Sequence, residues 1–268
     1  MTLDSYNDHP GLRATVLKAT RKSPLHGYHA AHGLSKPTDP MRWGNLIDWC
    51  LLDYAEYTRQ VRVCQVADRR KSGWKAHVAE YGEEWSITLP ESEKLEAMRL
   101  AFSVNMDAVQ LTEGGSVHEP IYWTDRLLGE CKAELDSRLP WGFVELKSCA
   151  EIAVARFMSN AERMGYLGQC GWYHHGLEVT TGQQMKCVVI SIESKSPYDI
   201  VPYDVPRALL LEGYEEMAEL ARRYRSCELA GAFPGVARGV QTWERPAWTS
   251  TGGGIASVDL NGLEDDDE

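Results

Sequence analysis

Residues 129–148 read GECKAELDSRLPWGFVELKS, and the architecture turns on how they fold. The stretch reads as two strands, GECKAELDSRL and FVELKS, with Pro140-Trp141-Gly142 between them where a hairpin needs its turn. Ahead of it, VHEPIYW (117–123) is a further strand. Behind it, a long helix from about residue 151 to 175 leads to the strand MKCVVISIE, an extended PYDIVPYDV and a helix from about 207 to 225. Further upstream, residues 42–60 carry Leu46, Ile47, Cys50, Leu51 and Tyr54 at helical spacing. A strand over 61–67, the basic loop DRRKSG and a short helix over 74–81 follow. Pro90-Glu91-Ser92 then opens a longer helix with Leu95, Met98, Phe102 and Met106 on one stripe, which Gly114-Gly115 ends. Helices, strands, helix, strand, helix is the order of an α/β or α+β domain with a central mixed sheet flanked by helices. One domain is expected over 1–245. The Gly/Ser/Thr-rich and then acidic segment 246–268 has little to bury and reads as a flexible tail.

Composition narrows the class. In 268 residues, 43% hydrophobic and 25% charged, no apolar run reaches the roughly 20 residues needed to span a bilayer, and MTLDSYNDHP has neither the basic nor the apolar part of a signal peptide. A cytoplasmic protein with no membrane partner is the expectation. Seven scattered cysteines without a CxxC pair argue against a disulfide framework, a zinc ribbon or a cysteine-bound iron–sulfur cluster. Net charge is −11, of which the run Glu264 to Glu268 carries five, leaving about −6. That balance does not exclude a local nucleic-acid groove, because a metal site concentrates carboxylates of its own.

Pairing the two strands of the opening stretch brings Asp136, near the end of the first, beside Glu145 and Lys147 on the second. Strand alternation puts Glu145 and Lys147 on one face and turns Leu146 toward the core, leaving its carbonyl as a further ligand. Two carboxylates, a carbonyl and water suit a hard divalent cation such as magnesium or manganese. A neighbouring lysine can hold an attacking water and stabilise charge on a phosphate. A surface Glu-x-Lys with an Asp in a nearby turn is commonplace, so the surrounding pattern matters. Gln169 and Tyr173 lie four residues apart on one helical face, and Gly44-Asn45-Leu46-Ile47-Asp48 offers another carboxylate on a helix.

With these residues in this order, the chain resembles the RecB-like branch of the PD-(D/E)XK nuclease superfamily, and within it the phage-type exonucleases related to RecE and lambda exonuclease, over roughly residues 20–225. That family's GxxxH or GxxxE, strand-borne Asp, (D/E)xK and QxxxY fall at Gly44/Asp48, Asp136, Glu145/Lys147 and Gln169/Tyr173. Asp48 departs from the pattern, standing where relatives carry histidine or glutamate, and its shorter side chain could bind metal directly or through water. The resemblance implies a restriction-endonuclease-like core and a Mg²⁺- or Mn²⁺-dependent exonuclease that hydrolyses phosphodiester bonds of linear double-stranded DNA, 5′ to 3′. It implies metal ligands Asp136, Glu145, the Leu146 carbonyl and Asp48, with Lys147 positioning water. Gln169 and Tyr173 would organise the site and touch the DNA backbone, or simply pack the helix on the sheet. Glu119 and Asp125 are candidates for a second metal or for substrate alignment, or plain solvated carboxylates. Arg21 and Ser23 would meet a 5′-phosphate. Arg69 and Arg70, with Lys71 and Trp74, would line a DNA path, or form a solvated loop. His26, His29 and His32 recur every three residues but read as an irregular helix end, and His174 and His175 as surface or phosphate-neighbouring side chains rather than ligands. The family works as a homo-oligomeric ring around DNA ends, beside a single-strand annealing protein, in phage-style recombination. Alternatives are an endonuclease or nickase on the same core, or a non-catalytic DNA-binding relative.

Overall fold

The computed structural model describes residues 3–34 and 38–244. The chain divides into two units, Met1–Val236 and Ala237–Glu268. Of the second, residues 237–244 are described and contain neither helix nor strand. The tail expected from 246 lies outside the described residues.

The first unit begins with α1 (Leu3–Asp8), α2 (Ala14–Lys22), α3 (Pro24–Ala31), α4 (Asp39–Leu52) and α5 (Tyr54–Gln60), followed by β1 (Arg62–Cys64), α6 (Ser72–Tyr81), β2 (Ser86–Thr88), α7 (Leu89–Val104) and α8 (Met106–Thr112). Then come β3 (Ser116–Asp125), β4 (Gly129–Leu139), β5 (Gly142–Cys149), α9 (Val154–Met164), α10 (Tyr166–Thr181), β6 (Lys186–Glu193), β7 (Ile200–Asp204) and α11 (Arg207–Ala230). Five strands form one sheet in the order β3-β4-β5-β6-β7. All neighbours are antiparallel except β5 and β6, which run parallel because α9 and α10 form the crossover between them. The sheet is therefore mixed and flanked by helices, the layout the hydrophobic pattern calls for.

Alternation along β5 sorts the molecule into two cores. Val144 and Leu146 pack with Leu46, Ile47, Leu95, Met98, Val188 and Ile190, under α4 and α7. Phe143 turns the other way, into a core with Leu17, Leu135, Trp172, Leu177, Met217 and Tyr224 beneath α2, α10 and α11. Full burial of each such side chain is worth about 1.5–3 kcal/mol, so both faces hold β5 in register. Six of the seven cysteines are buried free thiols.

Three helices expected to be continuous are broken. The one over 42–60 stops at Asp53, whose carboxylate accepts the Glu56 N–H at 3.0 Å and starts α5. The helix opened at Pro90 stops at Asn105, whose side chain accepts the Ala108 N–H at 3.0 Å, and Met106 beyond it is exposed instead of extending the stripe. The crossover helix bends at Gly165, with φ of 67°. A one-residue break barely disturbs apolar spacing, so periodicity runs through it, while an Asp or Asn cap satisfies the freed N–H groups.

Candidate active site

The hairpin of β4 and β5 opens into a fork. The strands pair at Leu139–Gly142, Arg138–Phe143 and Ser137–Val144, and there the ladder ends. The next two residues are Asp136 and Glu145. Past the fork the free side of β4 is taken by Leu12, which accepts from Lys132 N–H and donates to the Glu130 carbonyl, both at 2.8 Å. On the other prong the Leu146 N–H, left without a strand partner, donates to Asp136 Oδ2 at 2.7 Å. A residue's N–H and C=O point to the same side of an extended strand. The Leu146 carbonyl therefore also faces the gap, beside Asp136.

Glu145 is buried at 1% exposure, and its two oxygens are treated differently. Oε1 accepts from Lys147 Nζ and from Gln169 Nε2, each at 2.5 Å. Oε2 is buried with no hydrogen-bond partner. An orphaned carboxylate oxygen costs desolvation free energy that nothing protein-borne returns. Burial, then the charge of Asp136, pushes Glu145 up to about 7. Burial also raises Asp136, against the pull of Lys147 and the Leu146 N–H. Asp48 of α4, half-buried, is raised well above the carboxylate range by burial and then by Asp136. Burial alone would depress Lys147, but Glu145 and Asp136 outweigh it and hold the ammonium charged.

The carboxylates thus crowd one another beyond what a single lysine neutralises, and one oxygen lacks any donor. This donor set fits a divalent cation. Among the described residues no three His, Cys, Asp or Glu side chains converge tightly enough to hold an ion by themselves. A metal here would draw on Asp136, Glu145, the Leu146 carbonyl and water, with Asp48, whose carboxyl is raised by burial and then by the charge of Asp136, as a further candidate.

The wall opposite the fork is α10. Gly171 of α10 sits so close to α11 that a Cβ there would lie 2.4 Å from the Leu210 carbonyl oxygen and the Tyr214 nitrogen. This contact seats the helix, and the i,i+4 pair Gln169 and Tyr173 comes off its sheet side. Gln169 Nε2 also donates to the Tyr173 hydroxyl at 3.0 Å. Tyr166, the first residue of α10, places its ring 5.2 Å from Lys147 Nζ. Lys18 of α2, which no motif or spacing singles out, donates to Gln169 Oε1 at 2.8 Å across 151 residues of sequence. Burial and then the charge of Lys147 lower its pKa to about 8.

The remaining candidates are engaged elsewhere. Glu119 pairs with Arg138. Asp125 accepts the N–H groups of Leu127 and Leu128 at 2.7 and 2.8 Å, fixing the β3–β4 turn. Arg21 pairs with Glu216 on α11. Ser23 is buried and bonds the Nδ1 of His26 at 2.6 Å while capping α3. Arg69 pairs with Glu91 at 2.7 Å and lies 5.1 Å from the centre of the Trp74 ring, and Arg70 pairs with Asp68. His29 and His32 close α3 rather than gather with His26, and His32 Nδ1 lies 2.9 Å from the Tyr28 carbonyl oxygen. Of the two histidines expected at the surface, one is buried and the other half-buried. His174 is fully buried, 3.3 Å from Glu178, and His175 stacks on Tyr214 with ring centres 3.8 Å apart.

A mixed sheet whose central hairpin forks over two carboxylates and a lysine, walled by a Gln-x-x-x-Tyr helix, defines a protein of the PD-(D/E)XK nuclease superfamily. Residues 14–244 match the family described as PDDEXK-like domain of unknown function (DUF3799), and the chain belongs to that family. Among solved structures it is similar to an exonuclease candidate of Eubacterium rectale, at 13% identity and a TM-score of 0.67, covering 94% of this chain and 98% of that one. That likeness is one of fold. A phage-related exonuclease of Haemophilus somnus 129PT is matched at 14% identity over 85% of this chain and 99% of that one, with a TM-score of 0.38. No curated protein matches.

Proposed function

We propose that the protein is a divalent-metal-dependent exonuclease that hydrolyses phosphodiester bonds at the ends of linear double-stranded DNA. The observation that carries this reading is the buried Glu145 beside Asp136, with Oε1 bound by Lys147 and Gln169 and Oε2 unpartnered. Asp136, Glu145, the Leu146 carbonyl and Asp48 would hold magnesium or manganese. Such an ion, when bound, stabilises charge on the phosphate and lowers the pKa of a ligated water.

The residues themselves do the rest. Lys147 is kept protonated by its carboxylate neighbours, so it serves as a charged donor that orients water and steadies a phosphate oxygen, and not as a base. Gln169 fixes Glu145 through Oε1. The Tyr173 hydroxyl, its pKa raised by burial, stays neutral and offers a hydrogen bond to the DNA backbone. Exonuclease rather than endonuclease action, 5′-to-3′ polarity, assembly as a ring and work beside a single-strand annealing protein in phage-style recombination come from the resemblance to the RecE and lambda exonuclease group. The name carried by the similar Eubacterium rectale structure supports the exonuclease part of this reading alone.

The test is digestion of end-labelled linear duplex and covalently closed circular DNA, with magnesium or with EDTA. Metal-dependent loss of the linear substrate with the circle intact, abolished by Lys147→Ala, is the expected result, and the label's position gives the polarity. A cut circle would replace the reading by an endonuclease.

A further inference from the structure

Gln169 is held at both ends of its amide by charged groups that admit one orientation each. Glu145 Oε1 can only accept, so the nitrogen must face it. The Lys18 ammonium can only donate, so the oxygen must face that side. From this we infer that Lys18 is a positioning residue of the site, which locks the Gln169 amide so that Glu145 Oε1 stays engaged and Oε2 stays turned to the metal position. The inference rests on the nuclease reading above.

Three features support it. Lys18 Nζ reaches Gln169 because the Leu12 bridge to β4 fills the fork's empty side and starts α2 alongside it. Gln169 is buried at 9% exposure, so solvent offers its amide little competition for partners. Keeping an ammonium in a half-buried place next to Lys147 is unfavourable, as its lowered pKa reflects, and Gln169 Oε1 is the acceptor it finds there. Without Lys18 the amide can turn over or swing away. Lys147 then becomes the sole donor to Glu145 Oε1, and the carboxylate can rotate.

Groups that hydrogen-bond a metal ligand, as Gln169 does Glu145, typically change metal affinity or activity about 10–100-fold when removed, and Lys18 acts through Gln169. The experiment measures Mn²⁺ affinity by calorimetry and cleavage of linear duplex, as kcat and KM, for the full chain, Lys18→Met, Lys18→Arg, Gln169→Ala and the double variant Lys18→Met/Gln169→Ala. Circular dichroism melts check folding, and Lys18→Gln replaces the methionine variant if that one fails to fold. Expected are weaker Mn²⁺ binding and a kcat reduced about tenfold or more with KM little changed, partial recovery in Lys18→Arg, and a double variant no worse than Gln169→Ala alone. Effects of Lys18→Met and Gln169→Ala that simply add, or a Lys18→Met protein equal to the native one in both affinity and kcat, would overturn the inference while leaving the nuclease reading in place. A native protein that neither binds Mn²⁺ nor cuts would overturn that reading, and the role of Lys18 with it.

Discussion

At the scale of single residues the fork stores unfavourable charge. Glu145, Asp136 and Asp48 all have raised pKa values because burial, and for Glu145 and Asp48 also the charge of Asp136, disfavours their ionised forms. A carboxylate raised in the folded chain holds its proton more tightly there than when unfolded. Between the ordinary value of 4.5 for glutamate and about 7 for Glu145, the native state therefore binds more protons, and stability falls as pH rises. The metal-free protein should lose melting temperature from pH 5 to pH 8. Saturating magnesium should reverse the loss, since ligand at a hundred times its Kd adds about 2.7 kcal/mol. Calorimetric melts at the two pH values with and without metal check this, and a metal-free protein more stable at pH 8 than at pH 5 would contradict it. Asp136, Glu145, Lys147, Gln169 and Tyr173 could be singled out in the sequence because strand alternation and i,i+4 spacing are local rules. Lys18 could not: a lysine on an amphipathic helix looks solvated until the fold brings Gln169 against it. Asp125 and Ser23 show the converse, polar side chains that attract a functional reading while holding a turn and a helix cap.

At the scale of elements, the site depends on how closely α10 approaches α11. Gly171 leaves room for no side chain against Leu210 and Tyr214. Gly171→Ala should overpack the crossing and cost about 1–3 kcal/mol, read as a lower urea midpoint, and should slow cleavage as Gln169 and Tyr173 move off Glu145. An unchanged midpoint would show that the helices part without cost. The two strands of the hairpin were legible nearly to the residue: β4 coincides with GECKAELDSRL, and β5 adds only one residue at each end of FVELKS, whereas β1 keeps three residues of the strand expected over 61–67 and β2 was not expected. Helix continuity was less so. The breaks at Asp53, Asn105 and Gly165 are decided by one capping or left-handed residue apiece, which leaves the apolar spacing on either side in phase.

At the scale of the whole molecule, the order of elements sufficed to assign the mixed sheet, and the match to a PDDEXK-like family over residues 14–244 agrees with it. What remained hidden was the fork, since the point where β4 and β5 part is set by Leu12 wedging against β4 from more than a hundred residues away. No helix among the described residues is long and apolar enough to cross a membrane. With a net charge of −11, the DNA of the proposed reaction would have to be gripped locally rather than drawn to the protein as a whole. The central claim, that the fork is a metal-dependent cleavage centre, is tested most directly by the initial rate of hydrolysis of linear duplex by the native protein and by Glu145→Ala, in magnesium and in EDTA. The account predicts cleavage by the native protein in magnesium alone and a loss on the order of a hundred- to a thousandfold in the variant, the scale seen when one preorganised electrostatic group is removed; cleavage that persists in EDTA, or a variant as fast as the native protein, would contradict it.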